Sequence, residues 1–297
     1  MTTIASLRDR ALQRTGWVGA RWSRSARSRR AFLIVGGLIV ALFVTAAVAP
    51  QLFTGQSPLA LYSSSPLSPP SAQHWLGTDE LGRDFFARVV YGARASLTMS
   101  VLVVAIGASV GVAVGVISGS AGGWLDEVLM RVVDLFLSLP GFVLALALAA
   151  ALGRGETSVV IALSIVWWPS YARLIRGMVL GMKHRLHVES ARALGAGPLR
   201  IAWKHILPFM WGQLNARLTQ DLGYALVNVA GLSFIGLGAQ PPTPEWGALL
   251  ESGLQYVVNG WWLTVFPGLA ITLWTLGIAM LGDGISGLTR SEREAQR

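Results

Sequence analysis

The stretch Glu189 to Pro208, ESARALGAGPLRIAWKHILP, decides the fold because it is a polar, helix-forming segment between two apolar runs. The apolar runs cover 157–172 before it and roughly 218–238 after it. Eight Lys and Arg residues lie between 173 and 217. A basic loop between two membrane spans faces the cytoplasm. The sequence therefore predicts a membrane protein that presents a short helix and a Pro-ended turn to the inside of the cell.

The composition is that of a membrane protein. Of the 297 residues, 53% are hydrophobic and 13% are charged, whereas soluble domains carry about 25% charged residues. Windows of about 20 residues are almost free of charge, as a bilayer core requires. The net charge of +9 could indicate nucleic acid, but the basic residues flank apolar spans, so orientation in the membrane explains them better. The absence of cysteine excludes disulfides, thiolate catalysis and Cys-ligated metals.

Six membrane spans are predicted, which makes the chain an all-α polytopic protein: 31–52, 95–118, 131–153, 157–178, 218–239 and 263–286. If successive loops alternate between the two sides, only Arg83, Arg88, Arg94 and Arg154 fall on the outer side, and the other twenty Lys and Arg fall on the inner side. This asymmetry predicts that both termini are cytoplasmic. The apolar run 31–49 is longer than a signal-peptide core, so we expect it to be retained as the first span.

We divide the chain into four regions. Residues 1–30 form a basic cytoplasmic tail, and 291–297 form the C-terminal tail. Residues 31–94 hold the first span, a Pro- and Ser-rich extracytoplasmic loop and an interfacial helix. Residues 95–290 form the transmembrane core, with the cytoplasmic loop at 180–210.

The cytoplasmic loop has the local signals of a helix, a sharp turn and a second helix. Residues 187–194 are mostly good helix formers, Gly195 can adopt a positive φ and end a helix, and Pro198 can open the next one. A rigid short helix of this kind suits a groove on a partner protein. The alternative is a solvated connector in which Glu189 only caps its helix or pairs with Arg192.

This loop resembles the "EAA" coupling loop of the permease subunits of bacterial ABC importers. The family pattern is Glu-Ala-Ala, three residues, Gly, nine residues, an apolar residue, any residue, and Leu-Pro. The residues that fall on this pattern are Glu189, Ala191, Gly195, Leu207 and Pro208, while Ser190 replaces the middle Ala and His205 replaces the apolar residue.

A second block, HWLGTDELGRDFFARVVYGARASL at 74–97, resembles the C-type permease subunits of dipeptide, oligopeptide and nickel importers. The matching residues include Gly77, Thr78, Asp79, Gly82, Arg83 and Asp84. Asp79 with Arg83 and Asp84 with Arg88 are i,i+4 pairs, each expected to stabilise a short helix by about 0.2–0.5 kcal/mol. We interpret the block as an interfacial helix packed on the bundle rather than a direct substrate contact.

Two further stretches extend the resemblance, so that it covers most of residues 74–250. The first, 122–148, contains Pro140, which we expect to kink its span. The second, 231–250, contains several glycines near a span end, where small residues let helices approach closely.

The resemblance implies a type I ABC importer permease in the bacterial cytoplasmic membrane. Such a subunit forms half of a translocation pathway, here for dipeptides or oligopeptides, with nickel or glutathione as alternative cargoes. The implied partners are a second homologous permease in a heterodimer, two ATPase domains that dock at 189–195, an extracytoplasmic substrate-binding protein and the lipid bilayer; no nucleic acid is expected. The sequence has no Gly-x-x-x-x-Gly-Lys-Ser/Thr loop, so we expect a non-catalytic chain without cofactors, ATP and Mg²⁺ belonging to the partner subunits.

Other classes of protein fit less well. An ion-coupled secondary transporter needs acidic residues in mid-span, and we place Asp221 at the cytoplasmic start of the fifth span, where it can pair with Arg217. An intramembrane hydrolase needs a nucleophile with a base, and Ser138 and Ser164 have no acid or His partner at helical spacing. His184 and the nearby His187 lack clear carboxylate neighbours, which disfavours a metal site.

Overall fold

The computed structural model describes residues 30–61 and 66–295, and these residues are almost entirely helical. Most of the predicted basic tail, residues 62–65 of the outer loop and the last two residues lie outside the described ranges. The helices are α1 Arg30–Val48, α2 Phe85–Ala121, α3 Gly123–Leu137, α4 Gly141–Leu152, α5 Glu156–Met182, α6 Leu186–Ala193, α7 Pro198–Ile201, α8 Leu207–Phe234, α9 Trp246–Leu254 and α10 Trp262–Ala295. A 3₁₀ turn, Pro50–Leu52, follows α1, and a π-helical turn, Ala202–Ile206, joins α7 to α8.

Four helices, α1, α2, α5 and α10, are long and apolar enough to cross a membrane, and α3 with α4 makes a fifth span if the bent pair is counted as one. The remaining long helix, α8, covers most of the predicted 218–239 span but is not among the candidates. The described residues thus hold four or five spans by length and composition. The count of six and the cytoplasmic position of both termini stay predictions.

Pro140 breaks the predicted 131–153 span instead of merely kinking it. Two helices, α3 and α4, meet there at 87°, with Pro140 as the residue that precedes α4. Proline lacks an N–H donor and its ring clashes with the carbonyl four residues back, so the α3 ladder stops before it. The kink predicted at Pro140 is therefore a full break between two helices, and α3 begins at Gly123, well before the predicted boundary.

The centre of the bundle is the close pairing of α2 with α5. Glycines recur every fourth residue on the α2 face that meets α5: Gly107, Gly111, Gly115 and Gly119. A Cβ added at Gly115 would lie 2.6 Å from the carbonyl oxygen of Ala172, and one at Gly119 would lie 2.8 Å from the Cβ of Val179. Because no side chain separates them, the two backbones approach each other directly.

Two apolar clusters mark the two ends of the bundle. One packs Phe85, Trp246, Trp262 and Trp274, and it joins α1, α2, α9 and α10. The other packs Ile175, Val179, Val188, Ile206 and Met210, and it ties α6 to α5 and α8. We call the end with the first cluster the α9 end; it also carries residues 66–84. The end with the second cluster is the α6 end.

Candidate functional site

The predicted helix, turn and second helix are present in the loop at the α6 end. Helix α6 ends where Gly195 takes a φ of +83°. The N–H of Gly195 donates to the carbonyl of Arg192 at 3.0 Å, and the N–H of Ala196 donates to the carbonyl of Ala191 at 3.0 Å. This pair of bonds is a Schellman motif, which favours glycine because other residues are strained at positive φ. Helix α7 then begins at Pro198, as the sequence predicts.

Helix α6 has one buried and one exposed side. Val188 and Ala191 are buried against the bundle, and Ala191 is the motif residue that faces inward. Two leucines stand out from the ends of the helix: Leu186 is 80% exposed and Leu194 is 88% exposed. The motif residues Glu189, Ser190 and Gly195 are also exposed. The loop therefore presents an acidic group between two apolar side chains while its other face is fixed.

Glu189 lies in the first turn of α6, where a negative charge interacts favourably with the helix dipole. Its carboxylate lies 3.8 Å from Nδ1 of His184, and both side chains are largely exposed. The pair with Arg192 that a simple connector would favour is not the contact formed, and the expectation that His184 lacks a carboxylate neighbour was wrong. The ring of His187 instead lies against Phe209, with centroids 4.8 Å apart.

The end of the predicted motif coincides with the π-helical turn. Leu207 donates its N–H to the carbonyl of Ala202, five residues back. Pro208 follows in the first turn of α8, where its missing donor costs nothing. The remaining motif residue, His205, is half-buried within the turn. Single π turns inside helical segments are frequent at functional sites.

The second motif forms a buried turn at the α9 end rather than the predicted short helix. Gly77 and Gly82 have φ values of +78° and +75°, and Thr78 bridges to Asp84. Asp79 accepts bonds from Nε of Arg83 at 2.6 Å and from the N–H groups of Leu81 and Arg83 at 3.0 and 2.9 Å. The Asp79–Arg83 pair is thus real, but it closes a turn that precedes α2.

The predicted pair of Asp84 with Arg88 is wrong. Asp84 is the N-cap of α2, where it accepts the N–H of Ala87 at 2.8 Å, and its other oxygen lies 2.8 Å from Nδ1 of His74. Arg88 turns to Asp79 instead, at 3.3 Å. A carboxylate just before a helix satisfies a free backbone donor there, which draws it away from the residue four positions on. Asp79, Arg83, Asp84 and Arg88 are all buried, which favours our interpretation of the block as a packed element.

Glu245 is a buried acid at the α9 end that sequence reasoning missed. It caps α9 by accepting the N–H of Ala248 at 2.9 Å, and its other oxygen accepts the hydroxyl of Ser96 at 2.8 Å. The same hydroxyl accepts the N–H of Trp246 at 3.0 Å. Burial raises the pKa of the Glu245 carboxyl above its usual value. An acid directly before a Trp-Gly helix start is a capping signal that could have identified it.

Ion pairs also connect α3 to α5. Both oxygens of Asp126 accept bonds from Arg176, at 2.6 Å each, and Asp134 pairs with Arg173. In α8, Nε of Arg217 donates to Asp221 at 2.9 Å. Because α8 begins at Leu207, this pair lies ten or more residues inside the helix. Its predicted place at the cytoplasmic start of the fifth span stays a prediction.

Comparison with known proteins tests the resemblance. Residues 111–289 match the family described as "Binding-protein-dependent transport system inner membrane component". This chain belongs to that family. The match covers the transmembrane helices from the middle of α2 to α10, together with α6 and the turn at Gly195. The protein is thus a multi-pass membrane subunit of a binding-protein-dependent importer.

The relatives are permease proteins of the same kind. The chain is 41% identical over 251 residues to the probable D,D-dipeptide transport system permease protein DdpC of Escherichia coli (strain K12), covering 84% of each chain. It is 37% identical over 286 residues to the glutathione transport system permease protein GsiD of Pectobacterium atrosepticum, covering 96% of this chain and 94% of that one.

A solved structure shares the fold. The MetNI methionine ABC transporter, in an inward-facing crystal form, matches with a TM-score of 0.57 at 21% identity. The match covers 69% of this chain and 97% of that one. The predicted type I importer fold is confirmed.

Proposed function

We propose that this chain forms half of a peptide translocation pathway in the bacterial cytoplasmic membrane. Two relatives in the family are named for D,D-dipeptide and glutathione transport, and both cargoes are short peptides. This agreement supports peptides over nickel as cargo, and glutathione remains within the peptide class. A second homologous permease would complete the pathway, and an extracytoplasmic binding protein would deliver the cargo.

The observation that carries the proposal is the packing of α6, which has one buried and one exposed side. Val188 fixes α6 to the same apolar cluster as Ile206, the last residue of the π-helical turn, and Met210, near the start of α8. The opposite side of α6 leaves Leu186, Glu189 and Leu194 exposed. Exposed apolar side chains around one charge are typical of a surface that a partner covers. In our proposal an ATPase domain covers it, and a displacement of α6 is transmitted to α8 through the buried face.

The test uses the complex reconstituted in vesicles with its ATPases and binding protein. We expect Leu194→Glu to abolish capture of the ATPase subunits and cargo-stimulated ATP hydrolysis, because it places a charge where an apolar side chain meets the partner. The matched control is Val258→Glu, since Val258 is 92% exposed and lies just beyond α9, at the other end of the bundle. The control should retain capture and coupling, and the chain without its partners should hydrolyse no ATP. Normal coupling in Leu194→Glu would contradict the proposal.

A further inference from the structure

Helix α8 carries a polar face that no described element covers. Gln213, Arg217, Gln220 and Tyr224 recur at intervals of four, three and four residues, and all four are exposed. This spacing places them on one side of an α-helix. Asn228 continues the same line, and its side-chain amide donates to the carbonyl of Tyr224 at 2.7 Å. We call these five residues the polar face of α8.

The polar face explains why α8 is not apolar enough to be counted as a span. Most of its buried positions are apolar, among them Met210, Leu214, Leu226 and Val229, while Trp211 and Val227 are apolar and exposed. Lipid does not solvate polar side chains, so in membrane helices such residues face a protein partner or a water-filled cavity.

Arg217 is the only charged member of the polar face. It lies ten residues beyond Leu207 and 17 before Phe234, which at about 1.5 Å per residue puts it roughly 15 Å from one helix end and 25 Å from the other. Wherever lipid surrounds this part of α8, an exposed guanidinium is costly. It therefore requires water or an anionic partner.

The surroundings of Arg217 leave part of its guanidinium available. Its Nε donates to Asp221, which is buried behind it, while the side chain of Arg217 is 46% exposed. Among the described residues, no other group accepts a bond from this guanidinium. The two Nη amino groups thus have no acceptor among the described residues, and a planar pair of N–H donors matches the two oxygens of a carboxylate.

We infer that the polar face of α8 lines the translocation pathway and that Arg217 attracts and holds the carboxylate of the passing cargo. This inference rests on the proposed function, because it assigns a lining surface and a charged residue to the proposed translocation pathway. Peptides carry a C-terminal carboxylate, so the charge of Arg217 is complementary to the proposed cargo. Packing of the polar face against the second permease is the alternative that the experiment must separate.

Substituted cysteines test the wall directly, because the sequence contains no cysteine. We would place single cysteines at Gln220 and Tyr224 and, as the control, at Ile106, an exposed apolar position on α2. The assembled complex in vesicles is treated with a hydrophilic methanethiosulfonate. Gln220→Cys and Tyr224→Cys should react at least about ten-fold faster than Ile106→Cys, because thiolates form in water and not in lipid. Rates as slow as that of Ile106→Cys would mean that the polar face is covered, and would overturn the inference.

The sign of the charge is tested with two reagents on Gln220→Cys, one bearing a sulfonate and one a quaternary ammonium. Each rate is divided by the rate of the same reagent with a free thiol. The normalised rate of the sulfonate divided by that of the quaternary ammonium then gives the preference for anions. Arg217→Gln should lower this ratio by about five-fold, as expected for removing one charge at about 8–10 Å in a partly aqueous site. Arg217→Lys should keep most of the ratio. Arg154→Gln should leave it unchanged, because Arg154 is exposed and lies next to Gly155, which bonds Leu237 beyond the Phe234 end of α8 and not near Gln220.

The role of Arg217 and the proposed cargo can be refuted separately. An unchanged ratio in Arg217→Gln, in a complex that transports peptides, would overturn the role of Arg217 and leave the proposed function standing. A complex that shows the anion preference but transports no peptide would overturn the proposed cargo while leaving the wall of the pathway intact.

Discussion

The two ends of the molecule use charge in opposite ways. At the α9 end, Asp79 is buried, accepts bonds from Arg83 and two backbone N–H groups, and lies 3.3 Å from Nε of Arg88. At the α6 end, Glu189 is exposed and lies 3.8 Å from a single histidine that is also largely exposed. A buried charge held by several bonds fixes local structure, and an exposed charge with a weak partner is free to bind another molecule. The same difference separates a motif that holds the fold from one that, in our proposal, meets a partner.

The largest effect should come from breaking the buried charge cluster. Asp79→Ala removes the carboxylate that faces Arg83 and Arg88 and leaves two buried cations without it, so we expect a loss of about 3–5 kcal/mol in stability. Thermal unfolding of the purified complex in detergent measures it. Glu80→Gln is the matched control, because Glu80 is partly exposed and bonds only the outer edge of Arg83 at 3.0 Å. Equal effects of the two changes would show that burial does not set the role of these charges.

Gly195→Asp should act on coupling instead of on insertion. The residue has a φ of +83°, but a Cβ there would meet nothing within 4 Å, so the cost is confined to the backbone of an exposed turn. We expect at least a ten-fold loss of transport and of cargo-stimulated ATP hydrolysis, with normal amounts of protein in the membrane. Glu189→Lys should act in the same direction but less strongly, since an acid in the first turn contributes only about 0.3–1 kcal/mol. Full transport by Gly195→Asp would reduce the loop to a connector.

The buried Glu245 at the α9 end should make the stability of the protein depend on pH. Its pKa is raised in the folded state by burial, so the folded protein binds a proton more tightly than the unfolded chain. The contribution of Glu245 to the free energy of unfolding is therefore fully present below the ordinary Glu pKa of 4.5. It declines as the pH rises from there towards the raised pKa. Glu245→Gln cannot titrate, so wild type should lose stability relative to this variant over that range. The effect should be on the order of 1 kcal/mol, the size of one buried hydrogen bond. Parallel pH profiles would contradict it.

The side of the membrane on which each end lies can be tested by labelling, which requires no change in stability or transport. Single cysteines at Ser57, in the outer loop, and at Ser190, on α6, are both at exposed positions. In intact cells an impermeant thiol reagent should label Ser57→Cys and leave Ser190→Cys unlabelled, as the distribution of Lys and Arg predicts. Labelling of Ser190→Cys alone would reverse the topology.

The α6 end was predictable because its signals are local. Gly195 and Pro198 each fix the backbone at one position, so the sequence alone gives a helix, a turn and a second helix. The four-residue glycine spacing on α2 is an equally local signal that could have predicted the contact with α5.

The α9 end was less predictable because its contacts join distant segments. Asp79 and Asp84 have i,i+4 basic partners in the sequence, but an N-cap and a residue ten positions away, His74, compete for Asp84. Glu245 bonds Ser96, which is far away in the chain. Likewise, helix α8 begins well before its apolar part, so a hydropathy boundary placed Arg217 outside it.

The glycine spacing on α2 has a mechanical consequence. With the α5 backbone and Cβ atoms directly against the α2 backbone from Gly107 to Gly119, these glycines put no α2 side chain between the two helices, and we expect α2 and α5 to move as one rigid unit. The Asp79 turn lies at one end of this unit, and the other end leads through Met182 into α6. If a partner pushes on α6, we expect the unit to tilt as a whole and the break at Pro140, where α3 and α4 meet at 87°, to take up the bending.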